Sequence, residues 1–208
     1  MDGTYDLAAA YAAKDSEEIA AVYDEGADEY ERRILSWGYS TPAVVAWFLG
    51  RFVEPGDGPV LDAGAGTGLM GVLLSTLGYG DVVGIDLSER MLAQARAKGV
   101  YRALLRMDLG VPLDLPSAEF SATVASGVFA AGHAPPSALP ELVRVTRPGG
   151  HVIFSVRTDV YGDGTFREQQ ERLERQRRWE LREASQPFAH LRLEHPELKV
   201  QVFAYGVV

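Results

Sequence analysis

The residues that could do chemistry fall in three short stretches. The first is Val60-Leu-Asp-Ala-Gly-Ala-Gly-Thr-Gly68. Glycines at 64, 66 and 68 strip side chains from one side of a turn, so the backbone there can approach a ligand closely and take positive φ at low steric cost. The second is Val82-Val-Gly-Ile-Asp-Leu87, an apolar run closed by Asp86. The third is Met107-Asp-Leu109. A glycine turn after one apolar run and an acid at the end of the next is the layout of a nucleoside-binding α/β fold.

Two cofactors compete for that turn. A dinucleotide site expects G-x-G-x-x-G, with a pyrophosphate received by the following helix N-terminus. Here the spacing is G-x-G-x-G, and Asp62 stands two residues before the first glycine. An acid beside the turn repels a pyrophosphate and suits a ligand with a cationic end. S-adenosylmethionine has an ammonium group and a sulfonium and no phosphate, which disfavours a nicotinamide-dependent oxidoreductase. An ionised Asp86 can accept from both ribose hydroxyls, with Leu87 over one face of the adenine. Asp108 is placed to accept from the exocyclic amine, between Met107 and Leu109. The expected cofactor lining further takes in Ala63, Gly64, Ala65, Gly66, Met91 and Ser126.

These residues need strands and helices to hold them. Residues 1–14 are rich in alanine and tyrosine without firm periodicity. Ser16 can cap a helix running to Asp24 with acids in its first turn. Gly26 breaks that helix, and a second runs from about Asp28 to Trp37, closed by Gly38. Thr41-Pro42 starts a third, with Val44, Val45, Phe48 and Phe52 on its apolar face. Pro55-Gly-Asp-Gly-Pro59 is a loop. From Val60 strands and helices alternate: strands at 60–63, 81–86, 101–107, 120–126 and 151–156, helices at 69–77, 88–98 and 135–145. Five such units imply a mainly parallel sheet with helices on both faces. A charged helix over 165–179 follows, with Glu168/Arg172, Glu171/Arg175 and Glu174/Arg178 at the favourable i,i+4 spacing. Two β segments, 180–188 and 198–208, end the chain. The expected division is one domain, 1–208: a helical cap over 1–57, a cofactor-binding core over 58–160, and a segment over 161–208 that completes the sheet.

The chain of 208 residues has a formal charge of −9, unevenly spread. Residues 1–57 hold 12 acids and 4 bases, and from Asp15 to Glu31 there are eight acids and no base. That balance argues against nucleic acid and against an anionic membrane, whose binding rests on Lys and Arg. The acidic run reads as a solvated helix face. Cysteine is absent, which excludes disulfides and thiolate chemistry. No apolar run approaches the ~20 residues that span a bilayer, the first residues lack the pattern of a signal peptide, and a cytoplasmic protein is expected.

Val60 to Gly68, Val83 to Leu87, Met107-Asp108 and the Leu139–Gly150 stretch, ending Arg-Pro-Gly-Gly, resemble the successive motifs of class I S-adenosylmethionine-dependent methyltransferases. Tyr23-Asp24, Tyr30, Gly38-Tyr39 and Gly132-His133 further resemble the group around methyltransferase-like protein 27. The resemblance implies a Rossmann-like seven-stranded sheet, mostly parallel with the last strand antiparallel. It implies S-adenosylmethionine held by Asp62, Gly64, Gly66, Asp86 and Asp108. Its N-terminal helices imply a lid, making Tyr30 and Tyr39 candidate contacts. Methyl transfer needs alignment and exclusion of water, and a base only for a protonated nucleophile. His133 is the candidate catalytic base. The other histidines lack the spacing of a metal site. The Asn-Pro-Pro-aromatic signature of amino-group methyltransferases is absent. Tyr23, Tyr30, Trp37 and Tyr39 suit a small, partly apolar acceptor. A cofactor-binding protein without catalysis, acting through partner contacts, is the alternative.

Overall fold

The computed structural model describes residues 7–13 and 15–208; the reading of residues 1–14 therefore lies partly outside it. A short helix α1 (Leu7–Ala12) precedes α2 (Ser16–Ser36) and α3 (Thr41–Phe52). The α/β part follows as β1 (Val60–Ala63), α4 (Leu69–Thr76), β2 (Val82–Asp86), α5 (Glu89–Ala97), β3 (Ala103–Arg106) and β4 (Phe120–Phe129). Then come α6 (Leu139–Val145), β5 (Thr146–Arg157), α7 (Thr158–Gly162), α8 (Thr165–Arg175), β6 (Trp179–Ala184), β7 (Phe188–Leu191) and β8 (His195–Val207).

The sheet runs β3-β2-β1-β4-β5-β8-β6. The first five strands are parallel, and β8 enters antiparallel between β5 and β6. Strand β7 also pairs β8 antiparallel, further along it: β8 meets β6 through residues 203–207 and β7 through 195–200. β6 and β7 are thus two halves of one edge position, interrupted at Ser185-Gln-Pro187, where a proline lacks the N–H a ladder needs. This gives the seven positions across the sheet, with the antiparallel strand last in the chain. Both faces are covered. Leu139, Leu142, Phe166, Leu173 and Trp179 pack on one; Val45, Phe48, Leu49 and Leu74 pack on the other. Strand β1 is buried along its whole length, as a central parallel strand requires.

Three local expectations change. Helix α2 does not break at Gly26, which lies buried inside one helix of 21 residues; an interior glycine costs about 1 kcal/mol relative to alanine, which the packing of this face offsets. Its N-cap is Asp15, whose carboxylate accepts from the Glu18 N–H at 2.9 Å, and Ser16 is the first helical residue. The charged helix stops at Arg175; Trp179 is fully buried in β6. Arg178 therefore lies beyond the helix, whereas the Glu171–Arg175 pair forms at 3.5 Å. Gly38 does close α2, at φ +75. No helix among the described residues is long and apolar enough to cross a membrane.

Candidate cofactor and acceptor site

The carboxyl ends of β1, β2, β3 and β4 bound a cavity of about 430 Å³. This is the edge at which open α/β sheets bind ligands, and the volume falls in the range of small-molecule sites. The floor comes from the glycine turn. Gly64 has φ +81, and a Cβ on it would lie 2.3 Å from the Val128 side chain; a Cβ on Gly66 would meet nothing within 4 Å. Gly64 therefore serves packing, and Gly66 leaves open space. Gly64, Gly66, Asp86, Leu87, Met91, Met107, Asp108, Leu109, Ser126, Tyr30 and His133 all line the cavity. Asp62, Ala63, Ala65 and Tyr39 do not: they stand behind its wall.

Asp86 accepts from the Gly66 N–H at 2.7 Å and from the Ser88 N–H at 2.9 Å. Each carboxylate oxygen keeps a second lone pair. The residue thus ties the glycine turn to the start of α5 while facing the cavity. Burial pushes its pKa up, against these two N–H donors. Asp108 accepts from the Gly110 N–H at 2.6 Å.

Asp62 is fully buried beneath the turn. Its Oδ2 accepts from the Tyr101 hydroxyl at 2.6 Å, and its Oδ1 has no partner among the described residues. Burial pushes the carboxyl up to about 7, despite the tyrosine's donation. Tyr101 was not singled out by the sequence. Its hydroxyl also accepts from the Gly71 N–H at 3.0 Å. A Cβ on Gly71 would lie 2.2 Å from this ring, and one on Gly84 2.9 Å. The signal for it was there: a glycine in a helix interior and another in a strand interior, neither with a turn to serve.

The roof is α2. Its Ile19, Ala20, Tyr23 and Tyr30 face the cavity. Of its acids, Glu17, Glu18 and Glu25 are exposed as expected, and three others clasp α5. Asp24 accepts from the Ser88 hydroxyl and from the Arg90 N–H, Asp28 pairs with Arg90 at 2.8 Å, and Glu31 pairs with Lys98 at 2.8 Å. Spacings of four and three residues put these acids on one helix face.

His133 closes the β4 end. Its Nδ1 lies 2.8 Å from the Ala131 carbonyl, which can only accept, so Nδ1 carries the proton. Nε2 then accepts from the Tyr23 hydroxyl at 2.7 Å. Burial holds the imidazole below its ordinary pKa, opposed by the Ala131 carbonyl, so a base with an unperturbed pKa is not what the fold provides. It provides a neutral imidazole of fixed tautomer with its lone pair toward the roof.

A methyltransferase-domain family profile matches residues 61–154, the span from the glycine turn into β5. Human methyltransferase-like protein 27 is 35% identical over 140 residues, covering 66% of this chain and 57% of that protein. The chain belongs to the class I S-adenosylmethionine-dependent methyltransferases. A demethylmenaquinone methyltransferase of Beutenbergia cavernae is 32% identical over 68% of this chain and 59% of its own length. The chain thus spans somewhat under two thirds of these curated relatives. The solved structure of a TehB-like methyltransferase from Corynebacterium glutamicum superposes with a TM-score of 0.65 at 22% identity, covering 90% of this chain and all of that one; it supports the fold. The family's cofactor is S-adenosylmethionine. The chain's own residues fit it: an open backbone turn at Gly66, two carboxylates at successive strand ends, and a buried carboxylate oxygen at Asp62 lacking a donor.

Proposed function

We infer that this protein methylates a small, partly apolar acceptor. The observation that carries the reading is the roofed cavity. Helix α2 lies over the strand ends, clasped to α5, and leaves about 430 Å³ between Asp108 and His133. Such a roofed pocket suits a small molecule better than a polymer strand. The acidic roof and the overall charge of −9 also disfavour a polyanion. The name of the demethylmenaquinone relative points to an acceptor of this kind.

In this reading Asp86 holds the ribose, and Asp108 with Met107 and Leu109 holds the adenine. Asp62 is buried beneath the turn that carries the cofactor's amino-acid end, and its carboxylate favours a cation there through its charge rather than by contact. The bound cofactor supplies an electrophilic methyl group. The chain aligns the nucleophile and excludes water through α2. His133 Nε2 takes the acceptor's proton once the Tyr23 hydroxyl yields that lone pair. Calorimetry with S-adenosylmethionine and with NAD tests the first part: Asp86→Ala abolishes binding of the former, and unchanged affinity would refute the ribose assignment. A labelled-cofactor screen tests the second. Label is expected in a metabolite extract; label appearing instead in a protein fraction would overturn the small-molecule reading.

A further inference from the structure

Beside the β4 end of the cavity lies a second group of side chains that the cofactor does not need. Arg157 ends β5, on the same sheet edge, and its residue is 7% exposed. Nε and Nη2 bind the two oxygens of Asp159. Nη1 is buried and has no partner among the described residues. His190, on β7, is also 7% exposed, and neither ring nitrogen has a partner among the described residues. A buried polar group without a partner costs roughly 1–3 kcal/mol, so two such groups close enough to interact electrostatically call for a ligand. The registers support that meeting, since Arg157 and Phe188 both align with Val200 across β8.

Aromatic rings flank both groups. Tyr39 lies edge-on to His190 with centroids 6.0 Å apart, and its hydroxyl lies 3.5 Å from Ser126, which lines the cofactor cavity. Tyr11 of α1 covers the guanidinium at 4.0 Å, with its hydroxyl also interacting with it, and is edge-on to His133 at 5.8 Å. We propose that Arg157 and His190 form the recognition site for a carboxylate on the methyl acceptor, and that Tyr11 covers this site until the acceptor enters. The inference rests on the methyltransferase reading above and deepens it.

A guanidinium has five donors, so one more carboxylate can be added to a pair already made with Asp159. A phosphate dianion fits poorly, since it would set three negative charges against one guanidinium. The aromatic walls favour an acid with an apolar body. Among the described residues, α1, a helix of six residues, is what moves to admit it. Its far end rests on Gly132, where a Cβ would lie 2.9 Å from the Ala13 carbonyl oxygen. The acceptor would then be held at one end by Arg157, with its nucleophile toward His133.

The test uses protein saturated with S-adenosylhomocysteine, with that saturation measured first by calorimetry. Benzoate is titrated, followed by the NMR signals of the Arg157 and His190 side chains, with benzamide and inorganic phosphate as comparisons. Saturable benzoate binding, at least tenfold tighter than benzamide, is expected. Arg157→Gln should weaken benzoate about tenfold while leaving S-adenosylhomocysteine affinity within about twofold. Asp159→Asn and Tyr11→Ala should each strengthen it, a direction that misfolding does not imitate. Benzoate binding indifferent to Arg157→Gln, no tighter than benzamide, weaker than phosphate, or undetectable even in Tyr11→Ala overturns the site. Failure of S-adenosylhomocysteine itself to bind overturns the methyltransferase reading, and this one with it, at a separate and earlier step.

Discussion

Replacing Asp62 by asparagine should change sign with pH. In the protein without cofactor the carboxyl titrates near 7 rather than at 3.8, because burial penalises its charge. A carboxyl whose folded pKa is raised favours the fold while protonated, and that contribution is lost as pH rises from about 4 through 7. At about 1.4 kcal/mol per pH unit, the lost stability by pH 8 is about 4 kcal/mol. The group is fully buried, so solvent screening does not reduce this. Asp62→Asn removes the charge and keeps an acceptor for Tyr101, but puts an amide N–H where Oδ1 lacks a partner, at a cost of roughly 1–3 kcal/mol. The substitution should therefore stabilise the protein by about 1–3 kcal/mol at pH 8 and destabilise it by about 0.5–2.5 kcal/mol at pH 4, where only about 0.6 kcal/mol of the protonated form's stability has been lost. Urea unfolding at both pH values measures this. The same substitution should weaken S-adenosylmethionine at least tenfold, and binding to the unsubstituted protein near pH 6.5 should release protons, read by calorimetry in two buffers. An effect of one sign and size at both pH values would refute the buried-charge argument.

Gly71→Ala drives a methyl group to within 2.2 Å of the Tyr101 ring, and should cost about 1–3 kcal/mol of overpacking, visible as a lowered urea midpoint; an unchanged midpoint would show that the ring moves freely. His133→Ala should lower methyl transfer to a hydroxyl acceptor about 10²–10⁴-fold with cofactor affinity kept. Because burial lowers the pKa of this imidazole, it stays neutral to more acidic pH, and the acid limb of the rate profile should fall below the ordinary histidine range; a limb at or above 6.5 counts against His133 as the base. Asp24→Ala removes acceptors from the Ser88 hydroxyl and Arg90 N–H, and should raise amide exchange over 16–36 while the sheet stays protected; unaltered exchange would mean that α2 is held by its apolar face alone.

The core of the site was legible because its signals are local. Glycines at 64, 66 and 68 announce a turn, and acids at 86 and 108 end apolar runs, so the strand edge could be assembled from spacing alone. Chain order also supplied the parallel sheet. Other features depend on partners distant in sequence. Asp24, Asp28 and Glu31 look like part of one solvated face until Ser88, Arg90 and Lys98 are set against them. Gly26 looks like a break until its helix is packed. Asp62 could be placed beside the turn, but its burial and its bond to Tyr101, 39 residues on, follow only from the stacking of β1, α4 and β2. Likewise His133 could be named a base, whereas its tautomer comes from Ala131 and Tyr23 and its lowered pKa from burial. Arg157 and His190 carry no motif. They meet because β8 returns antiparallel between their strands, and burial without partners, which sequence does not display, is what gives them meaning. Spacing along the chain determined which backbone could cradle a cofactor; the tertiary structure alone decided which side chains lost water, and with it their ordinary chemistry.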